Sequence, residues 1–195
     1  GCMSGFKRNG EKTYMWVYRN SPAHSSKPIV LYDWQPSRRA DHPREFLKAF
    51  SGIAITDGYQ VYHKLSKERP DLLIGGCWIH ARRPFADFIK SIKGSADGTI
   101  AHKAYSLITE MLHIDNELDD LPSDDRLKQR QLILTEKVDA YFEWVKLKYN
   151  QVTHNSTIGK ALAYSIHQEP YLRTFLTDGD VPMDNNYAEQ AIRQI

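Results

Sequence analysis

The chain reads as an α/β protein, an open sheet at least partly parallel, with helices between its strands and a helical hairpin set into it. Three observations lead there. Short aromatic and β-branched runs alternate with amphipathic stretches through the first half, the pattern of strands and helices in succession. Residues 96–150 switch to a sustained helical period. The tail returns to shorter helical segments divided by turn residues.

Taken in order, Thr13 to Arg19 is the first strand, with Tyr14, Trp16 and Tyr18 recurring at period two. Lys27 to Trp34 is the second, closed by Gln35-Pro36-Ser37; Asn20 to Ser26 joins the two as an antiparallel hairpin. Asp41-His42-Pro43 opens a helix, proline suiting the first helical position. Phe46, Leu47 and Phe50 form its apolar stripe, and Gly52 ends it. Ile53 to Thr56 is a short buried strand, followed at once by Asp57-Gly58-Tyr59. A polar loop and helix run through Lys64 to Asp71. Leu72 to Ile79 is another buried strand, and His80 to Lys93 a helix with Phe85, Phe88 and Ile92 on one face.

Beyond this, Ala104, Leu107, Ile108, Met111 and Leu118 keep one helical period, and Leu134, Val138, Tyr141, Val145 and Tyr149 keep another. The acidic, turn-rich stretch from Asp115 to Asp125 separates them. Helical pattern resumes from Ile158 to Phe175, Thr177-Asp178-Gly179-Asp180 is a turn, and Asp184-Asn185-Asn186 starts a final helix through Ile195. The implied organisation is a core of residues 1–95 and 151–195, interrupted by a helical insertion at 96–150.

The composition, 41% hydrophobic and 26% charged over 195 residues, is that of a globular chain able to bury a sizeable core. No run approaches the roughly 18 consecutive apolar residues of a membrane helix. Gly1 to Gly10 lacks the apolar run of a signal peptide. Two cysteines make no disulfide framework: Cys2 falls at a chain end expected to fray, and Cys77 reads as a small buried residue in a reduced compartment. The net charge of +2 hides an asymmetry, because residues 1–95 carry twice as many Lys and Arg as Asp and Glu whereas 96–195 are net acidic. A basic face on the first half suits nucleic acid, although such patches are often plain solvated surface.

Two carboxylates stand out by position. Asp57 follows a buried strand, and the carboxyl ends of strands in open α/β sheets are where ligands bind. A carboxylate there suits a hard cation such as Mg²⁺; the competing reading is an ordinary Asp-Gly turn. Glu189 ends Asn186-Tyr187-Ala188-Glu189, which also fits a capping box with Asn186 as the cap and Glu189 at the third helical position. Asn185 and Asn186 have ordinary turn and cap roles. Cys77 and His80 have no second Cys/His pair at ligand spacing, which excludes a structural zinc site. The acidic residues Asp119, Asp120, Asp124 and Asp125 do not match a calcium loop and read as a solvated turn. Arg82 and Arg83 can hold phosphates, or can be an exposed basic pair.

Five blocks run in order along the chain: TYMWVYRN, YDWQPSRRADHP, FSGIAITDGYQVY, GCWIHARRPFADF and FLTDGDVPMDNNYAEQAIR. Together they resemble the insertion-sequence 66 transposase family, over nearly the whole chain apart from the helical insertion. The resemblance implies a ribonuclease-H-like mixed sheet flanked by helices and carrying a DDE triad. Asp57 is similar to the family's second catalytic aspartate and Glu189 to its catalytic glutamate, both as metal ligands. His80, Arg82 and Arg83 match its basic block and are candidates for contact with DNA. The implied activity is metal-dependent DNA cleavage and strand transfer during transposition, with two Mg²⁺ or Mn²⁺ ions in the complete enzyme. The implied partners are transposon-end and target DNA, further copies of the chain on DNA, and helper proteins of the same element, in the bacterial cytoplasm and on the nucleoid when bound to DNA.

One departure accompanies the resemblance. The family's first aspartate lies upstream of the TYMWVYRN block, whereas residues 1–13 contain Glu11 and no aspartate, and Asp33 belongs to the next strand. The expectation is a fragment that lacks one of three carboxylates and the mid-sheet strand bearing it, with weak metal binding and little strand transfer. Three other classes compete: a hydrolytic nuclease of the same fold, a non-enzymatic DNA-binding module, and an inactive remnant.

Overall fold

A computed structural model describes the backbone of residues 2–8, 11–21 and 27–192, and the side chains of 12–21 and 27–191. The chain divides into two compact units, Gly1–Cys77 with Asp180–Ile195, and Trp78–Gly179.

The first unit holds all the described strands: β1 (Cys2–Arg8), β2 (Glu11–Arg19), β3 (Val30–Gln35), β4 (Gly52–Thr56) and β5 (Leu72–Gly76). Its helices are α1 (Asp41–Phe46), α2 (Gln60–Glu68) and, after the second unit, α7 (Asn186–Ile192). The hairpin read from the sequence is present, with Tyr14 opposite Gln35 and Arg19 opposite Val30; its connection at 22–26 lies outside the described residues. A third strand joins it. β1 pairs antiparallel with β2, placing Cys2 opposite Val17 and Arg8 opposite Glu11. Cys2 is thus in a ladder and not at a frayed end. The run CMSGFKR lacks clean apolar alternation, which is why it does not read as a strand; the Asn9-Gly10 pair, a strong hairpin signal, was the available clue.

The alternation of β2 buries both of its faces. Trp16 is fully buried and meets Tyr62 edge-on at 6.0 Å, while Tyr18 stacks on Phe46 at 3.7 Å. On the other face Met15 and Val17 form a core with Ala191, and Val30 packs against it. Phe46 and Phe50 remain exposed, so Leu47 alone of the predicted α1 stripe is buried. β4 and β5 pair in parallel, Gly52 opposite Leu72 and Thr56 opposite Gly76, with α2 as the crossover. Among the described residues no ladder joins this pair to the antiparallel sheet. The one mixed sheet expected from the sequence is here two small sheets, one antiparallel and one parallel.

The second unit is helical: α3 (Trp78–Ser91), α4 (Ile100–Asn116), α5 (Ser123–Tyr149), α6 (Thr157–Leu172) and a 3-10 turn at Thr174–Leu176. α3 packs on α4 and α6, and α5 packs on the same two, closing a four-helix ring. β5 stops at Gly76 and not at Ile79, because Trp78 opens α3: its indole is fully buried and donates from Nε1 to the Leu172 carbonyl at 2.9 Å. Ala104, Ile108, Leu134, Val138, Tyr141 and Val145 are buried, as their spacing predicts. Thr99 and Ser156 cap α4 and α6 by accepting from the amides of His102 and Gly159.

Asp115 corrects the sequence reading. It belongs to α4 and not to the solvated turn, is 5% exposed, and forms a two-pronged pair with Arg130 at 2.7 and 3.1 Å. Burial pushes its carboxyl above the ordinary range, and the guanidinium opposes that shift. The remaining nitrogen of Arg130 donates to the carbonyls of Phe175, Asp178 and Gly179 at 3.2–3.3 Å. Arg126 donates to the carbonyls of Leu118, Leu121 and Gly179. Two arginines therefore fix the end of this unit through backbone carbonyls that no helix ladder uses. Asp119, Asp120, Asp124 and Asp125 are exposed.

Candidate functional site

Asp57 is the first residue past β4. The ladder with β5 holds the backbone up to buried Thr56, so the half-buried Asp57 carboxylate stands at the carboxyl end of a rigid strand. Its Oδ1 accepts from the Tyr59 amide at 3.2 Å, which makes an Asx turn. Gly58 takes φ 81°, a conformation that glycine adopts without strain. The turn reading and the ligand reading thus describe the same residue. Tyr59 is anchored in addition by its hydroxyl, which donates to the Arg38 carbonyl at 2.9 Å.

Glu189 lies in α7, one residue out of the register that a capping box requires. The carbonyl of Asn185 accepts from the amides of Ala188 and Glu189 at 3.0 and 3.2 Å. Asn185 is the cap position, Asn186 is the first helical residue, and Glu189 is the fourth, so the Asn186/Glu189 box does not form. Asp184 Oδ1 instead accepts from the Asn186 amide at 2.8 Å. The helix is tied to the antiparallel sheet by Tyr32, whose hydroxyl donates to the Ala191 carbonyl, and by Arg19, which donates to the Tyr187 carbonyl. Residues 193–195, to which the final helix was expected to run, lie outside the described residues. Asp57 and Glu189 therefore share one unit, the first on a strand end and the second, half-buried, on a pinned helix.

Sequence reasoning missed a further feature here. The Asn185 side chain is 5% exposed, yet neither atom of its amide has a hydrogen-bond partner among the described residues. The cap role falls to its backbone carbonyl alone.

His80, Arg82 and Arg83 lie in α3, in the helical unit. Arg82 is half-buried, donates to Thr109 Oγ1 at 3.0 Å, and lies over the Tyr105 ring at 5.1 Å. Its guanidinium packs α3 against α4. Arg83 is exposed, with Nη1 3.2 Å from His80 Nε2. The structure thus brings His80 and Arg83 together and directs Arg82 into a helix contact. Cys77 is buried at 2% exposure, as its composition reading expects.

Among the described residues, no helix is long and apolar enough to cross a membrane. The chain is similar to the uncharacterized protein y4qI of Sinorhizobium fredii (strain NBRC 101917 / NGR234), with 30% identity over 192 residues, 93% of this chain and 35% of that protein. The uncharacterized protein y4jD of the same strain is 28% identical over 173 residues, 86% of this chain and 33% of that protein. The chain spans about a third of the length of these curated relatives. No solved structure matches it. The family model described as Transposase IS66 family matches residues 3–195, essentially the whole chain, and the chain belongs to that family.

Proposed function

We propose that this chain is part of the catalytic core of a DDE-type transposase, in which Asp57 and Glu189 hold divalent metal. The observation that carries the reading is a carboxylate at the carboxyl end of a parallel strand, fixed by the β4–β5 ladder and its own Asx turn, in a chain of a transposase family. Strand order supports it as well. The antiparallel meander includes β1, upstream of the TYMWVYRN block where a strand was expected to be missing. A helix and a parallel strand–helix–strand unit follow, an order that supports a ribonuclease-H-like core even though the two sheets share no ladder among the described residues. The helical hairpin at 96–150 is then an insertion in that core.

The donor chemistry fits the implied ions. Both candidate ligands offer carboxylate oxygens, which suit hard Mg²⁺ or Mn²⁺. When bound, such ions supply Lewis-acid activation of the attacking and leaving oxygens at phosphorus. The β4 ladder and the contacts of α7 hold the two side chains on rigid elements, which limits the reorganisation required on binding. DNA cleavage and strand transfer at transposon ends, assembly of further copies on DNA, and helper proteins of the element belong to the same reading. Arg83, exposed beside His80, suits the phosphate backbone better than Arg82, which packs on α4.

The test is a Mn²⁺ titration read by electron paramagnetic resonance, with D57N and E189Q beside the wild type. Each substitution should weaken binding by at least tenfold. In the full-length protein each should abolish insertion of its element into a target plasmid. Wild-type Mn²⁺ affinity in either variant removes that residue from the site; no metal response at all leaves a DNA-binding module without this chemistry.

A further inference from the structure

The arginines of the strand-bearing unit differ in what they touch. Arg19 donates to the Tyr187 carbonyl, Arg39 pairs with Asp41, Arg44 with Asp41 and Glu68, and Arg69 with Asp71. Arg38 is different. Among the described residues it has no carboxylate partner, and its exposed guanidinium lies over the Tyr59 ring at 4.6 Å and near the Tyr14 ring at 5.7 Å. The Lys12 ammonium lies 5.6 Å from the same Tyr14 ring. Lys12, Tyr14, Arg38 and Tyr59 thus form an alternating row of cations and rings. Lys12 too has no carboxylate partner among the described residues.

The row ends at the candidate metal ligand. Tyr59 donates its amide to Asp57 Oδ1 and its hydroxyl to the Arg38 carbonyl. One tyrosine therefore sets both the loop that carries the guanidinium and the turn that carries the carboxylate. An aromatic face under a guanidinium restricts its rotamers and leaves its N–H groups pointing outward in the plane that matches a phosphate. Cations interleaved with rings are the composition of surfaces that track a nucleic-acid backbone.

We infer that Lys12 and Arg38 bind consecutive phosphates of the DNA strand that approaches Asp57, with Tyr14 and Tyr59 as the platform that fixes their positions. The inference rests on the metal reading of Asp57 for its direction, while the binding it describes is independent of metal. Sequence distance concealed the row: its members come from β2, the loop before α1, and the turn after β4.

The experiment is fluorescence anisotropy of the full chain on a labelled DNA duplex, in chelator, over a series of salt concentrations. The slope of log affinity against log salt counts the phosphates neutralised, at about 0.9 per contact. R38A should reduce its magnitude by about one, and K12A/R38A by about two. R38K should retain most of the slope, and K160A, an exposed lysine of the helical unit, should leave it unchanged. Circular dichroism reports that each variant is folded. If R38A matches K160A in slope, or if the wild type shows no salt-dependent binding, the inference falls. A changed slope in R38A beside an unchanged Mn²⁺ affinity in D57N would retain this surface and remove the metal site; the reverse pair of results would do the opposite.

Discussion

The two units differ in how they hold two of their polar groups, Arg130 in one and Asn185 in the other. In the helical unit the buried pair is closed: Arg130 meets Asp115 and the carbonyls of Phe175, Asp178 and Gly179, and half-buried Arg126 shares the Gly179 carbonyl and donates to those of Leu118, Asp119 and Leu121. In the strand-bearing unit Arg38 stays exposed on a tyrosine, and Asn185 is buried with its amide unpartnered among the described residues. Satisfied buried polar groups stabilise and specify a fold, whereas groups held in place without a partner are the pattern of sites awaiting one. The helical unit thus reads as scaffold, and the family's chemistry is sought in the other.

The strongest way to break this contrast is R130A. It leaves the Asp115 carboxylate buried without its partner and strips donors from Phe175, Asp178 and Gly179. The expected loss is about 3–5 kcal/mol of unfolding free energy, measured by urea denaturation. The double variant D115L/R130M, which removes both charges and keeps apolar volume, should recover much of it. A loss below about 1 kcal/mol for R130A would mean that the hub is solvated and the contrast false.

That pair also shows where sequence reasoning stops. Period-two aromatics gave β2, helical spacing gave α4 and α5, and a buried run before Asp-Gly gave the turn at Asp57, because each is a local pattern. Asp115 and Arg130 lie fifteen residues apart on different helices, and nothing local distinguishes them from the exposed charges around them. Trp78 reads as the end of a strand because its helical fate depends on a carbonyl 94 residues away. Arg38 and Tyr59 meet across 21 residues through a hydrogen bond from side chain to backbone. Glu189 stands out in the sequence through its motif, and its register in α7 differs by one residue from the capping-box reading because Asn185 and Asn186 are equally good caps in sequence.

A smaller effect concerns Glu169, which pairs with Lys146 at 2.7 Å and with Arg173 at 2.9 Å. Burial alone would raise its carboxyl, but these two cations hold it below the usual range. A folded-state pKa below the unfolded one contributes stability above the unfolded value, and that contribution is lost as pH falls through the folded one. E169Q should therefore lower stability by up to about 1 kcal/mol at neutral pH. The difference from wild type should shrink below about pH 4. Melting temperatures across pH read it directly; a gap that persists in acid would mean that Glu169 acts by packing and not by charge.

The smallest expected effect is the most discriminating for the strand-bearing unit. An asparagine whose side chain caps a helix costs about 1 kcal/mol when replaced by alanine. At Asn185 the backbone carbonyl receives the amides of Ala188 and Glu189, and the side chain receives none. A buried amide without partners carries an uncompensated desolvation penalty. Removing it should therefore be nearly neutral for folding, because relief of that penalty offsets the lost packing. N185A should keep a melting temperature close to wild type, while transposition by the full-length protein falls if the amide serves the site beside Glu189. A loss near 1 kcal/mol with transposition intact would make Asn185 an ordinary cap. It would also erase the contrast with Asp115 and Arg130 of the helical unit, which serve the fold.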